Sequence, residues 1–242
     1  MTYCVGLLVD RGAVLLSDTR TNAGIDNIST YRKMFIFEEP GERVVVVMTA
    51  GSLSTTQTLI AHLQEKVDDP DAESVLTVPT MLGVAEMIGA EMARVRANID
   101  SVTSASQSKP PPQTSASLIV CGQRKGGAMR LFLIYPEGNF IEATEDTPFL
   151  QIGETKYGKP ILDRVIRKST SMEDAKKAVL LSMDSTLRSN LSVGMPLDLA
   201  IVRDGECRVS ERRRIEADDP TFAAMSQAWS EALRNAFTAI EI

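Results

Sequence analysis

The sequence predicts an α+β fold: a four-layer α–β–β–α sandwich with an added C-terminal helix. Strand-like runs and helical periodicities come in blocks, in the order strands, two helices, strands, two helices, strands, helix. Some runs, such as Arg43-Val-Val-Val-Val-Met-Thr-Ala50, are apolar at consecutive positions, as strands covered on both faces are. The 242 residues are 43% hydrophobic and only 5% aromatic, enough for one large, mainly aliphatic core. Two antiparallel sheets with helices outside them bury all these faces. Residues 1–242 therefore read as one domain, with a helical extension over about 219–242.

The chain opens directly on strand sequence, with no leader pattern. Residues 3–9 and 13–17 flank the turn Arg11-Gly12 and read as a hairpin that ends in Asp18-Thr19-Arg20. A polar loop follows. Arg32-Lys33 then precede the apolar run 34–37, and the turn Pro40-Gly41-Glu42 leads to the run 43–50. Gly51 closes that strand, and a helix is expected over 52–67, with Leu53, Leu59, Ile60, Leu63 and Val67 on one side. Pro79 is placed to open a second helix to about 102. Residues 103–114, rich in Ser and Pro, read as a surface connection. Strands are expected at 116–121, 129–135, 139–143 and 149–152. A helix is expected over 153–168, with Tyr157, Ile161, Leu162, Val165 and Ile166 inward. Ser171 and Asp174 resemble a capping box for another helix, to about 187. A hairpin is expected from 196–203 and 207–210 around Asp204-Gly205. The last helix, from Pro220 to the end, carries the stripe Phe222, Met225, Trp229, Leu233, Phe237, Ile240, which suits folding back on its own subunit or packing on another.

Composition excludes several functions. The net charge is −6 and no basic stripe occurs, which argues against a nucleic-acid partner. No 18-residue apolar stretch and no signal-peptide pattern occur, so no membrane association and a cytoplasmic location are expected. Cys4, Cys121 and Cys207 are widely spaced in strand-like contexts and read as reduced core residues. His62 is the one histidine and sits mid-helix, reading as a bystander. Triads built on histidine and His-rich metal sites would all need that residue, and no zinc spacing exists. No metal and no cofactor are expected. Hydroxyl, amine and carboxylate groups remain.

Thr2 is the notable hydroxyl. Removal of Met1 would give it a free α-amine, whose pKa of about 8 leaves much of it neutral near pH 7–8. A threonine with its own terminal amine as base is an activated nucleophile. Asp18 and Lys33, at the ends of neighbouring strands, supply a carboxylate and a cation that favours the alkoxide. The N–H of Gly51, at a strand-to-helix junction, suits an oxyanion donor. On spacing alone a second reading stands beside this one: Thr2 as an ordinary second residue, Asp18 and Arg20 as a surface ion pair, Lys33 as a solvated lysine.

As a set, Thr2, Ser17-Asp18-Thr19-Arg20, Lys33 before an apolar strand, and Thr49-Ala50-Gly51 resemble the N-terminal third of proteasome β-type subunits and of the bacterial peptidase HslV. The phrases Ser-Asp-Thr-Arg-Thr-Asn-Ala-Gly, Ile-Gly-Glu-Thr-Lys-Tyr-Gly-Lys-Pro-Ile-Leu-Asp and Gly-Met-Pro-Leu-Asp-Leu-Ala resemble the Anbu branch of that family. The resemblance spans essentially the whole chain. It implies an N-terminal nucleophile hydrolase fold with Thr2 as nucleophile, Asp18 and Lys33 as its partners, Gly51 as oxyanion donor and Arg20 as a structural arginine. It also implies a homo-oligomer, as a ring or an open helical lock-washer, acting on a peptide or amide substrate. Two positions depart from the family pattern. Glu154 stands where a serine is usual, and Asn190 replaces an aspartate, with Ser192 one place off the usual serine.

The expected function is thus a threonine peptidase or amide hydrolase in a self-assembled compartment. The alternatives are a proteasome-like assembly with weak or no turnover, and an amidase for a small metabolite. The sequence does not name an ATPase partner.

Overall fold

The computed structural model describes residues 2–22, 28–105 and 114–241. In chain order the strands are β1 (Tyr3–Val9), β2 (Gly12–Asp18), β3 (Arg20–Asn22), β4 (Ile28–Thr30), β5 (Met34–Glu39) and β6 (Arg43–Gly51). Two helices follow, α1 (Leu53–Asp68) and α2 (Met81–Ala105). Next come β7 (Ala116–Arg124), β8 (Arg130–Ile134), β9 (Phe140–Glu142) and β10 (Phe149–Gly153), then α3 (Lys159–Val165) and α4 (Met172–Ser189). The last hairpin, β11 (Leu197–Arg203) and β12 (Val209–Ile215), leads to α5 (Pro220–Ala239).

Two five-stranded antiparallel sheets form, in the orders β10-β1-β2-β11-β12 and β5-β6-β7-β8-β9, and β3 and β4 make a small separate ribbon. Side-chain alternation sorts each strand between two cores. Tyr3, Val5, Leu7, Val14, Leu16, Leu197 and Leu199 meet Leu162, Val179 and Met183 of the α3–α4 layer. Cys4, Leu8, Leu15, Ala200 and Val202 point the other way and meet Val44, Val46 and Met48 between the sheets. Val45 and Val47 face Leu59, Leu63, Val84 and Ile88 of the α1–α2 layer. Three apolar cores separate four layers, which is the predicted sandwich. Strands covered on both faces account for the unbroken apolar runs.

Local differences have local causes. The polar stretch after Asp18 is not all loop, since Arg20–Asn22 pairs with Ile28–Thr30. The second helix starts at Met81 rather than Pro79. Thr80 closes its first turn, its Oγ1 accepting from the Gly83 N–H at 2.9 Å and its carbonyl from the Val84 N–H at 3.0 Å. Residues 153–158 are not helical. Gly153 has φ +83° and ends β10, so the helix is only Lys159–Val165, and Val165 is exposed. The last strand lies at Val209–Ile215, later than predicted, because Cys207 at φ +47° turns the chain before it. The low-complexity connection lies outside the described residues over 106–113, while Ala105 still belongs to α2.

Ser171 does cap α4, accepting from the Asp174 N–H at 3.1 Å. Asp219 caps α5, and Phe222 packs on the α3–α4 core. The first turns of α5 are thus folded back on their own subunit. Residues 231–240 are all exposed, with Leu233 and Phe237 uncovered. The three cysteines are free and buried. Among the described residues no helix is long and apolar enough to cross a membrane.

Candidate functional site

The site forms where the ends of β1, β2 and β6 meet the segment entering β5. Strand pairing places Tyr3 opposite Gly153 and Cys4 opposite Ser17, which fixes the start of β1 between two neighbours. Thr2 lies one residue before β1 and is anchored through its carbonyl, which accepts from the Glu154 N–H at 2.7 Å. Gly153 is obligatory at this junction. Its φ is +83°, and a Cβ there would lie 1.9 Å from the Thr2 carbonyl oxygen. Thr2 is 8% exposed.

Asp18 ends β2 and is completely buried. Its Oδ1 accepts from the Tyr3 N–H at 3.1 Å and from Lys33 Nζ at 2.7 Å, and its Oδ2 accepts from the Gly194 N–H at 3.2 Å. Lys33 Nζ also donates to the Arg20 carbonyl at 2.5 Å. Burial raises the Asp18 carboxyl above its ordinary value, and the Lys33 ammonium and the two N–H donors partly offset that rise. The lysine and carboxylate therefore form a dry, hydrogen-bonded ion pair beside Thr2.

Arg20 does not reach this pair with its side chain. Its Nη1 donates to the Leu191 carbonyl at 2.9 Å, and its guanidinium lies over Gly194, where a Cβ would be 2.2 Å from Nε. It props the 190–196 loop whose Gly194 N–H reaches Asp18.

Glu154 and Asn190, predicted separately, come together. Asn190 Nδ2 donates to Glu154 Oε2 at 2.8 Å, and Asn190 Oδ1 accepts from the Ser192 N–H at 2.9 Å. The Ser192 hydroxyl makes no hydrogen bond with a described residue. Lys156 Nζ lies 3.6 Å from Glu154 Oε1.

A cleft of about 390 Å³ opens beside Thr2, with Lys33 and Gly51 on its wall. Gly51 has φ +106°, and a Cβ there would sit 2.4 Å from the Ser115 carbonyl oxygen, so no other residue fits without moving backbone. Thr49, Ser52 and Ser115 also line the cleft. Sequence reasoning assigned Ser52 and Ser115 no role, and met Thr49 only as part of the Thr49-Ala50-Gly51 strand end. His62 is remote from these residues, its Nδ1 2.6 Å from Glu91 Oε1 between α1 and α2. Burial pushes the Cys4 thiol up, which suits a core residue rather than a nucleophile. Among the described residues no group of His, Cys, Asp and Glu is placed to hold a metal ion. Met1 lies outside the described residues.

Comparison with known proteins gives the same picture along the chain. The proteasome subunit family pattern matches residues 2–202. A search of curated proteins found no match. Among solved structures, Anbu (ancestral beta-subunit) from Yersinia bercovieri is 43% identical with a TM-score of 0.90, over 99% of this chain and 98% of that one. A Gly-1 mutant of Anbu from Hyphomicrobium sp. strain MC1 is 47% identical with a TM-score of 0.91, over 100% and 99% of the two chains. The Anbu complex from Pseudomonas aeruginosa, described as a helical assembly, is 46% identical with a TM-score of 0.91, over 99% and 97%. With a family match over residues 2–202 and three such structures aligned over nearly its whole length, the chain belongs to the proteasome subunit family, in its Anbu branch.

Proposed function

We propose that the protein is an N-terminal threonine hydrolase of peptide or amide bonds, working in the cytoplasm as a homo-oligomer. The observation that carries this reading is the buried Asp18–Lys33 pair beside Thr2 at the mouth of the cleft that Gly51 borders. Removal of Met1 by an aminopeptidase frees the Thr2 amine. The neutral amine takes the Oγ1 proton, directly or through a water, and Oγ1 attacks the substrate carbonyl. Lys33 favours the alkoxide, and Asp18 keeps the lysine charged and in place. The Gly51 N–H stabilises the oxyanion; one such donor contributes about 10²–10³ in rate. The protonated amine passes its proton to the leaving nitrogen as the C–N bond breaks. Water, deprotonated by the same amine, then cleaves the ester to Thr2 and regenerates the enzyme.

Homo-oligomerisation is supported by the helical assembly described for the Pseudomonas aeruginosa relative. Intact mass and N-terminal analysis establish whether Thr2 is exposed. Thr2→Ala should then abolish hydrolysis of a broad peptide and small-amide set, and wild-type rates from that variant would refute the reading. A small-amide-only profile would mark a metabolite amidase.

A second reading, an assembly with little turnover, is favoured by the Glu154–Asn190 pair, which occupies two positions that depart from the family pattern. It predicts ordered oligomers that a threonine-directed covalent inhibitor does not label. Labelling at Thr2 sinks it.

A further inference from the structure

Tyr3 follows Thr2 directly, and its side chain enters the core on the α3–α4 side of its sheet. It is completely buried, and its hydroxyl is the meeting point of three further segments. Gln151 Nε2, from β10, donates to it at 2.5 Å. Ser182 Oγ, from α4, lies 2.6 Å away. Gly158, just before α3, closes over both hydroxyls. A Cβ there would lie 2.4 Å from the Tyr3 oxygen and 2.2 Å from Ser182 Oγ.

The same segments hold Thr2. Strand β10 ends at Gly153, which pairs with Tyr3. The chain between Gly153 and Gly158 carries Glu154, whose N–H holds the Thr2 carbonyl. Helix α4 leads into Asn190, which holds the Glu154 carboxylate. The Tyr3 N–H itself donates to Asp18. Once Met1 is removed, no residue precedes Thr2, and its place is set from Tyr3 and Glu154.

A tyrosine ring is a stiff lever with two torsions. Pinning its tip fixes the Tyr3 backbone, and with it the peptide that presents Thr2. Phenylalanine would fill the α3–α4 core almost as well. It would free the ring tip, leave Gln151 without its acceptor and open a gap under Gly158. The hydroxyl thus joins the segments around Thr2 in a way that apolar packing does not.

We propose that Tyr3 is a positioning residue, whose hydroxyl, held by Gln151 and Ser182 beneath Gly158, aligns the Thr2 nucleophile with the Asp18–Lys33 pair and the cleft. It acts through Thr2 and touches no substrate. This inference rests on the threonine-hydrolase reading above.

The test uses the full chain once its mass shows Thr2 at the N-terminus. A fluorogenic peptide gives kcat and KM. A threonine-directed epoxyketone gives the maximal labelling rate and the concentration at half that rate. Tyr3→Phe should lower kcat and the maximal labelling rate by at least about tenfold, with KM and the half-rate concentration within about twofold, because misalignment slows the attack and leaves the cleft intact. Ser182→Ala should do the same, and the double variant should lose no more than either, as groups acting as one unit do. Ser182→Ala leaves β1 untouched and carries the test if Tyr3→Phe does not fold. Phe222→Ala, which thins the same core away from the hydroxyl, is the control for lost stability and should keep both rates. Unchanged rates in Tyr3→Phe and Ser182→Ala overturn the inference. So does an equal loss in Phe222→Ala at a matched thermal midpoint. Both results leave the hydrolase reading standing. If the wild type cleaves no peptide and the epoxyketone does not label Thr2, the hydrolase reading itself fails, and the inference with it.

Discussion

The Asn190 amide donates to the Glu154 carboxylate at 2.8 Å, across a gap of 36 positions in the chain. The backbone N–H of the same Glu154 holds the Thr2 carbonyl. The α4 C-terminus is thereby tied to the start of β1. Asn190→Asp would set two carboxylates against each other at neutral pH. Double-mutant cycles with Glu154→Gln and Asn190→Ala are expected to give a coupling of about 0.5–3 kcal/mol in urea unfolding, as for residues in direct contact. Additive effects would show that the pair is incidental.

Lys33→Met leaves the Asp18 carboxylate buried without its counter-charge. Such a loss costs about 3–5 kcal/mol at neutral pH. Burial already raises Asp18, and removing the ammonium raises it further. A folded-state value above the unfolded one means that the proton is held more tightly when folded. The group's favourable contribution is therefore complete below the unfolded value and lost as pH rises through the folded one. The deficit of Lys33→Met relative to wild type should be large at pH 8 and shrink as pH falls towards the ordinary carboxyl range. Adding Asp18→Asn should recover part of it at pH 8. Urea midpoints across this range measure both.

Gly51→Ala and Gly194→Ala should differ in cost. At Gly51 the new Cβ meets the Ser115 carbonyl at 2.4 Å, and φ is +106°, so backbone has to move. At Gly194 it meets the Arg20 guanidinium, the far end of a flexible side chain. Arg20 can swing out and give up its bond to the Leu191 carbonyl, a loss of about 1 kcal/mol. Gly51→Ala is expected to cost about 2–3 kcal/mol from combined clash and strain. Thermal midpoints of the two variants check the order.

Tyr3→Phe probes the layer behind the site. The Tyr3 hydroxyl lies 2.6 Å from Ser182 Oγ and accepts from Gln151 Nε2 at 2.5 Å. Burial pushes its pKa up from 10.0 to about 12. By the same linkage, its contribution is intact below pH 10 and lost between pH 10 and 12. Tyr3→Phe should lose about 1–3 kcal/mol at pH 7, where Gln151 is left unpaired. It should then show a shallower fall in stability between pH 10 and 12 than wild type.

Asp18, Lys33 and Gly51 were legible because each adjoins a strand whose apolar run marks it, and strand neighbours in sequence became neighbours in space. Glu154 with Asn190 was not. Their contact depends on residues 153–158 staying out of helix, which the apolar spacing of Tyr157, Ile161 and Leu162 hid. The decisive constraint there is the crowding of Gly153 against the Thr2 carbonyl, a long-range effect. The Arg20–Asn22 ribbon escaped detection because its residues are polar and carry no alternation. Thr49 is a good strand former in sequence, and only the face it takes on β6 gives it to the cleft.

The Glu154–Thr2 hydrogen bond holds the chain by the main-chain carbonyl of Thr2 and leaves its side chain out of the grip. Position two is thus a socket whose placement does not depend on the side chain it carries. A serine or cysteine exchanged into it would be presented at the same point. If Thr2 is the nucleophile as proposed, its identity can therefore be varied while the rest of the architecture is held constant.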